Sequence, residues 1–152
     1  KEVNVSPKTL ILMVGLPRSG KSTWAKQRGL PIVSRDAIRI ALQGERFLEA
    51  AEPMVSAIEE VMVKALFRAG HNTIIIDECH INAKRRCRWV GFDGAHVECV
   101  VINTPRDVCI ERAKAENDQV IIPVIERMFG ACDVPLIKPS FGLEQMEAIG
   151  NA

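Results

Sequence analysis

What the sequence lacks first is an excess of charge. Lysine and arginine number 20 against 19 aspartates and glutamates, a formal net charge of +1. A strongly basic coat for nucleic acid is therefore excluded, although a local basic patch is not. Paired cysteines are missing too. The five cysteines, Cys79, Cys87, Cys99, Cys109 and Cys132, are odd in number and contain no C-x-x-C pair. They predict neither a disulfide framework nor a structural metal site, and three of them lie in apolar or helical runs as small hydrophobes. Such usage points to a reducing compartment. No apolar run approaches membrane-spanning length and the N-terminus has no signal-like character, so the chain is expected to be cytoplasmic, with no membrane partner. Tyrosine is absent and tryptophan occurs twice. Trp24 and Trp89 both fall on predicted helices, where they read as core rather than base-stacking platforms. With no repeat, low-complexity segment or boundary, residues 1–152 read as a single domain.

What is present is concentrated near the start. Gly15-Leu16-Pro17-Arg18-Ser19-Gly20-Lys21-Ser22-Thr23 fits G-x-x-x-x-G-K-[ST] without a gap. The apolar run Leu10 to Val14 before it reads as a buried strand, and Thr23 to Arg28 after it as a helix start. In that setting the loop amides and the helix N-terminus point at an anion. Lys21 would reach the β- and γ-phosphates of a nucleoside triphosphate, and Ser22 would offer its hydroxyl to Mg2+. Gly15, Pro17, Arg18, Ser19, Gly20 and Thr23 complete the expected cradle for ATP.

The rest alternates strand and helix. Short strands are predicted at Pro31–Val33, Thr73–Asp77 and His96–Asn103, with helices over Ala37–Leu42, Pro53–Ala69, Asn82 to Val90 and Thr104 to Ala115. Asp36 is expected to cap the second helix and Thr104 the fifth. Met54, Val55, Ile58, Val61, Met62, Ala65 and Leu66 are assigned to the core. Glu45 to Glu52 reads as a connection, Glu116 to Ile122 as a loop, Pro123–Phe129 as a short helix and Leu143–Ile149 as a last one. The pattern predicts an α/β fold of the P-loop NTPase kind, a parallel sheet flanked by helices on both faces.

A phosphate loop alone does not choose a reaction. Asp36 and Arg39 stand where the second strand ends, three residues apart, able to face one cleft. A carboxylate there can take a proton from an attacking hydroxyl, and a guanidinium can hold an anionic neighbour. The competing reading is a capping Asp beside a solvated Arg. Asp77, at the end of an apolar strand, is open to two roles: orienting Mg2+ or its waters, or contact with the acceptor. Lys84, Arg85, Arg86 and Arg88 form a dense basic cluster that either tracks a nucleic-acid backbone or is a solvated face.

The phosphate loop continuing into Trp24-Ala25, then Val33-Ser34-Arg35-Asp36 with Arg39, resembles the kinase domain of phage-type polynucleotide 5′-hydroxyl kinases. Asp77-Glu78-Cys79-His80-Ile81-Asn82 with Arg85, Arg86 and Trp89 is similar to that family's Asp-x-x-Asn stretch and Arg-rich helix. The likeness spans residues 10 to about 130. It implies that Asp36 is the general base and Arg39 a ligand of a substrate phosphate, with Arg35, Asp77 and Arg85 on the acceptor side. Arg112 and the segment to residue 122 would be a lid over the ATP phosphates. Two positions depart from the pattern. His80 replaces the usual Asn, either as a hydrogen-bonding contact or, the favoured reading, as a structural substitution. The lid is poor in arginine, leaving Lys114 or Arg18 to contribute.

The activity so implied is an ATP-dependent transfer of the γ-phosphate to a hydroxyl, foremost the 5′-hydroxyl of a DNA or RNA end. A small-molecule alcohol (nucleoside, sugar, antibiotic) or a modified base is the second acceptor class. A regulatory ATPase without an acceptor is a third reading, disfavoured by Asp36 with Arg39. No phosphatase or ligase segment accompanies these motifs, so a dual end-healing activity is not expected from them.

Overall fold

Runs of β-branched and aliphatic residues form the four strands of a parallel sheet in the computed structural model, which describes residues 6–134. They are β1 (Thr9–Val14), β2 (Ile32–Ser34), β3 (Thr73–Asp77) and β4 (His96–Val101), in the order β2-β3-β1-β4. Helices α1 (Lys21–Lys26), α2 (Arg35–Gln43), α3 (Glu52–Arg68), α4 (Ala83–Cys87), α5 (Arg106–Ala115) and α6 (Ile121–Ala131) make the connections. The expected P-loop NTPase-like α/β fold is the one observed. The helix predicted over 143–149 lies outside the described residues.

Strand alternation sends side chains to two covered faces, as a doubly wrapped parallel sheet requires. Leu10, Leu12, Ile74 and Ile76 pack with Val55, Val63, Phe67 and Trp89 on one side. Met13, Ile75 and Ile102 pack with Ala25 and the half-buried Trp24 in a separate cluster. Trp89 is fully buried, with the Phe92 ring 5.0 Å away edge-on, so its core assignment holds.

The α3 assignment needs correction. Its buried stripe is Val55, Glu59, Val63 and Phe67, whereas Met54, Val61, Met62 and Ala65 are exposed. Apolar residues occupy more than one face of this helix, and a carboxylate sits in the face that is buried. Two caps also differ. Ser34, not Asp36, caps α2: its hydroxyl accepts from the Ala37 amide, which places Asp36 in the first turn. Thr104 does not cap α5, whose first residue follows Pro105. Asn82 does cap α4, accepting from the Arg85 amide at 3.1 Å. α6 begins at Ile121, so the loop expected to run through Ile122 is shorter.

The register fixes the site. Ser34 pairs with Asp77, so the start of α2 and the C-terminal end of β3 emerge side by side. β3 pairs with β1, whose end leads into the phosphate loop. The crevice beyond these strand ends is where such sheets hold ligands.

Candidate active site at the phosphate loop

The loop closes tightly over its own backbone. A Cβ on Gly15 would lie 2.7 Å from Ser19 Oγ and 2.9 Å from the Ile102 carbonyl, so only glycine fits. Gly20 turns at φ 102° immediately before α1, and Arg18 is held at φ 67°. Lys21 is buried, its Nζ donating to Leu16 O at 2.7 Å. The ammonium therefore lies within the loop curve. Ser22, one residue on, donates its hydroxyl to Asp77 Oδ2 at 2.7 Å. A hydroxyl and a carboxylate set together are hard oxygen ligands that fit Mg2+. Of the two roles open to Asp77, this contact supports the metal-side one.

The residues expected to face an acceptor stand on α2. The Asp36 side chain is 81% exposed and its Oδ1 accepts from Arg39 Nη1 at 2.7 Å. Arg39 is held by more than Asp36. Its Nε and Nη2 donate to the two oxygens of Glu52 at 2.8 and 2.9 Å, a bidentate pair. Arg35 Nη2 reaches the same carboxylate at 2.6 Å. Hydrogen bonds from Arg39, joined by those from Arg35, hold Glu52 down at about 2 against the opposing effect of burial. The sequence pattern places Glu52 only in a connection, whereas it is the first residue of α3. No short motif announces it, because its partners lie 13 and 17 residues away.

Behind Arg35 the charges go underground. Arg35 Nη1 donates to the fully buried Glu59 at 3.0 Å, and Arg88 Nη1 to its other oxygen at 2.9 Å. Burial, then the charge of Glu78, pushes Glu59 up to about 7 against the two arginines. The basic cluster thus divides. Arg86 bonds Asp133 and the His80 carbonyl, and Arg88 anchors α4 to α3 through Glu59 and the Ser56 carbonyl. Arg85 and Lys84 stay exposed, Arg85 with one bond to Glu78. His80 is fully buried at φ 42°, its ring Nδ1 2.8 Å from Met13 O. That tie to β1 fits the structural reading of the substitution.

The far wall comes from α5 and its sequel. Arg112 Nη1 donates to the Arg18 carbonyl at 3.1 Å, which brings it onto the phosphate loop. Thr104 Oγ1 donates to Ser19 O at 2.6 Å, a loop anchor that the capping pattern concealed. Arg18 itself pairs with Glu116 and Asp118, and Asp118 also takes both Nη atoms of Arg46. Hydrogen bonds from Arg46 and Arg18 hold Asp118 well below the usual carboxylate range. Lys114 pairs with Glu111 on its own helix.

A parallel sheet, a glycine-bounded phosphate loop and a carboxylate at the neighbouring strand end define a P-loop kinase fold. Residues 10–135 match a family described as an AAA domain, and the chain belongs to that family. Among solved structures it is similar to the Pnkp1/Rnl/Hen1 RNA repair complex, with a TM-score of 0.70 and 21% identity over 93% of this chain and 49% of that one. A further Pnkp1/Rnl/Hen1 complex gives 0.64 and 26% over 74% and 41%. The chain spans about half or less of the length of both. The APS kinase CysC of Mycobacterium tuberculosis, in complex with AMPPNP and APS, gives 0.54 and 21% over 71% and 70%. Among the described residues no helix is long and apolar enough to cross a membrane.

Proposed function

We propose that this chain is an ATP-dependent kinase whose acceptor is the 5′-hydroxyl of a DNA or RNA end. The observation that carries the reading is the exposed Asp36 carboxylate, held by an arginine that Glu52 fixes in place, at the end of β2 and next to the β3 end that brings Asp77 to the phosphate-loop Ser22. In the proposed reaction Asp36 accepts the proton of the acceptor hydroxyl as that oxygen attacks the γ-phosphorus, and ADP leaves. Lys21 holds the β- and γ-phosphates, and Arg112 closes on them from α5. Ser22 and Asp77 would hold Mg2+, which would offset negative charge on the triphosphate. Arg39, whose Nη1 and Nη2 each carry a second N–H beyond those given to Asp36 and Glu52, would take a phosphate of the acceptor. The similarity to Pnkp1-containing RNA repair complexes supports a polynucleotide acceptor.

The test is transfer of label from γ-labelled ATP to a 5′-hydroxyl oligonucleotide, a nucleoside 3′-monophosphate and a free nucleoside at matched concentration. The oligonucleotide should be labelled best and the free nucleoside least. Labelling of a phosphate-free sugar or similar alcohol, with none on the nucleotides, would replace this reading with a small-molecule kinase. ATP hydrolysis indifferent to all acceptors would replace it with a regulatory ATPase.

A further inference from the structure

Arg46 stands outside every helix and strand, in the segment between α2 and α3. Its partner is on the opposite wall. Nη1 and Nη2 donate to the two oxygens of Asp118 at 2.9 and 2.7 Å, a bidentate pair between residues 72 apart in sequence. Asp118 lies between α5 and α6 with its side chain only 10% exposed. Its amide donates to Ala113 O at 2.9 Å, which ties this connection to the last turn of α5.

Two further contacts locate the Arg46 guanidinium. Asp118 Oδ2 also accepts from Arg18 Nη2 at 2.6 Å, so a single oxygen separates Arg46 from the phosphate loop. Phe47, the next residue, sets its ring 5.6 Å from the guanidinium of Arg39, which in turn holds Asp36. Arg46 is therefore close to both ends of the proposed transfer. Hydrogen bonding to Asp118 holds it above its ordinary value, and the charges of Arg18 and Asp36 act on it as well.

Asp118 does not exhaust this side chain. Nη1 and Nη2 each carry a second N–H, and Nε–H has no partner among the described residues. The side chain is half-exposed, so these donors are open to a ligand. A guanidinium held in advance by a carboxylate needs little reorganisation when negative charge builds up beside it. The segment that follows Arg112 has no such group of its own: residues 113–120 contain no arginine, and Lys114 is paired with Glu111.

We propose that Arg46 is a catalytic residue whose free N–H groups contact the γ-phosphoryl group in transit, with Asp118 as its positioning residue. The proposal rests on the kinase reading above. The acceptor oxygen bonds to the γ-phosphorus while the bond from that phosphorus to the β,γ-bridging oxygen breaks. The acceptor proton goes to Asp36, and the bridging oxygen leaves on ADP with its electron pair. Arg46 donates to the non-bridging oxygens, over which charge is spread in the loose transition state.

Two reactions of the full chain test it: label transfer from γ-labelled ATP to a 5′-hydroxyl oligonucleotide, and release of labelled phosphate to water without an acceptor. Both pass through the same phosphoryl group in transit. Arg46→Ala should lower kcat in each by about 10² or more. AMPPNP affinity, read by calorimetry, should change by less than about threefold. Arg46→Lys keeps a point charge without the fork and should fall between. Asp118→Ala breaks the same tie between the walls but spares the guanidinium, so its kcat should stay about tenfold or more above that of Arg46→Ala. Equal losses in the two alanine variants would leave Arg46 a tether only and overturn the proposal. Wild-type rates in Arg46→Ala, or an AMPPNP affinity that falls as far as the rate, overturn it too. The acceptor reading fails separately, when the oligonucleotide takes no label while phosphate release to water still depends on Arg46.

Discussion

Asp36 makes the proposed chemistry accessible to a decisive substitution. Its carboxylate touches Arg39, and the cap of its helix is Ser34, so Asp36→Asn alters proton acceptance without disturbing the start of α2. The expected outcome is a kcat lowered by roughly 10² or more with ATP-analogue affinity unchanged. Steady-state kinetics beside calorimetry would check it, and wild-type turnover would reduce Asp36 to an ion-pair partner of Arg39. At this scale the sequence is informative where chemistry is local. The phosphate loop reads directly because its glycines, lysine and serine are contiguous. Asp36 and Arg39 are nearly as plain, being one helical turn apart. Glu52 and Thr104 are not, since each acquires its role from a partner brought in by the fold.

Among the elements, α3 shows how a pattern misleads. Its apolar positions suggest a wide core face, yet the sheet takes the narrow stripe that includes Glu59. The reason is visible in the partners: Arg35 from α2 and Arg88 at the end of α4 supply the charge that lets a carboxylate stay there. Removing one partner of such a buried pair is far more costly than removing an exposed one. Arg88→Ala should therefore destabilise the protein by about 3 kcal/mol or more. Arg85→Ala, at an exposed arginine whose buried partner Glu78 keeps Arg88 4.0 Å away, should cost less than Arg88→Ala. Urea unfolding of the two variants would show the difference. Equal small losses would mean that Glu59 is not dependent on Arg88. The four basic residues of this region look alike in sequence, and only their burial separates tethers from free donors.

For the whole molecule, stability should follow the depressed carboxylate of Glu52. Its ordinary value of 4.5 falls to about 2 in the folded state. Between those values the unfolded chain binds more protons, so the stabilisation is present above 4.5 and lost as pH falls toward 2. Glu59, raised from 4.5 to about 7, acts in the opposite sense: its contribution is present below 4.5 and lost as pH rises through 7. Urea midpoints across this range should show Glu52→Gln flattening the acid limb and Glu59→Gln the limb toward neutrality. An unchanged acid limb in Glu52→Gln would contradict the role given to its arginines. The global architecture itself was legible, because alternating apolar runs and helical patterns admit few topologies. Asp118 has a consequence at this same scale. One carboxylate receives Arg18 from the phosphate loop and Arg46 from the segment after α2, where the Phe47 ring lies 5.6 Å from the Arg39 guanidinium. If, on the proposed reading, a bound polyanion draws Arg18 away, Asp118 is left to Arg46, and any resulting shift of Arg46 and Phe47 against Arg39 would link the proposed donor and acceptor sites. Each must then change the other's affinity by the same factor.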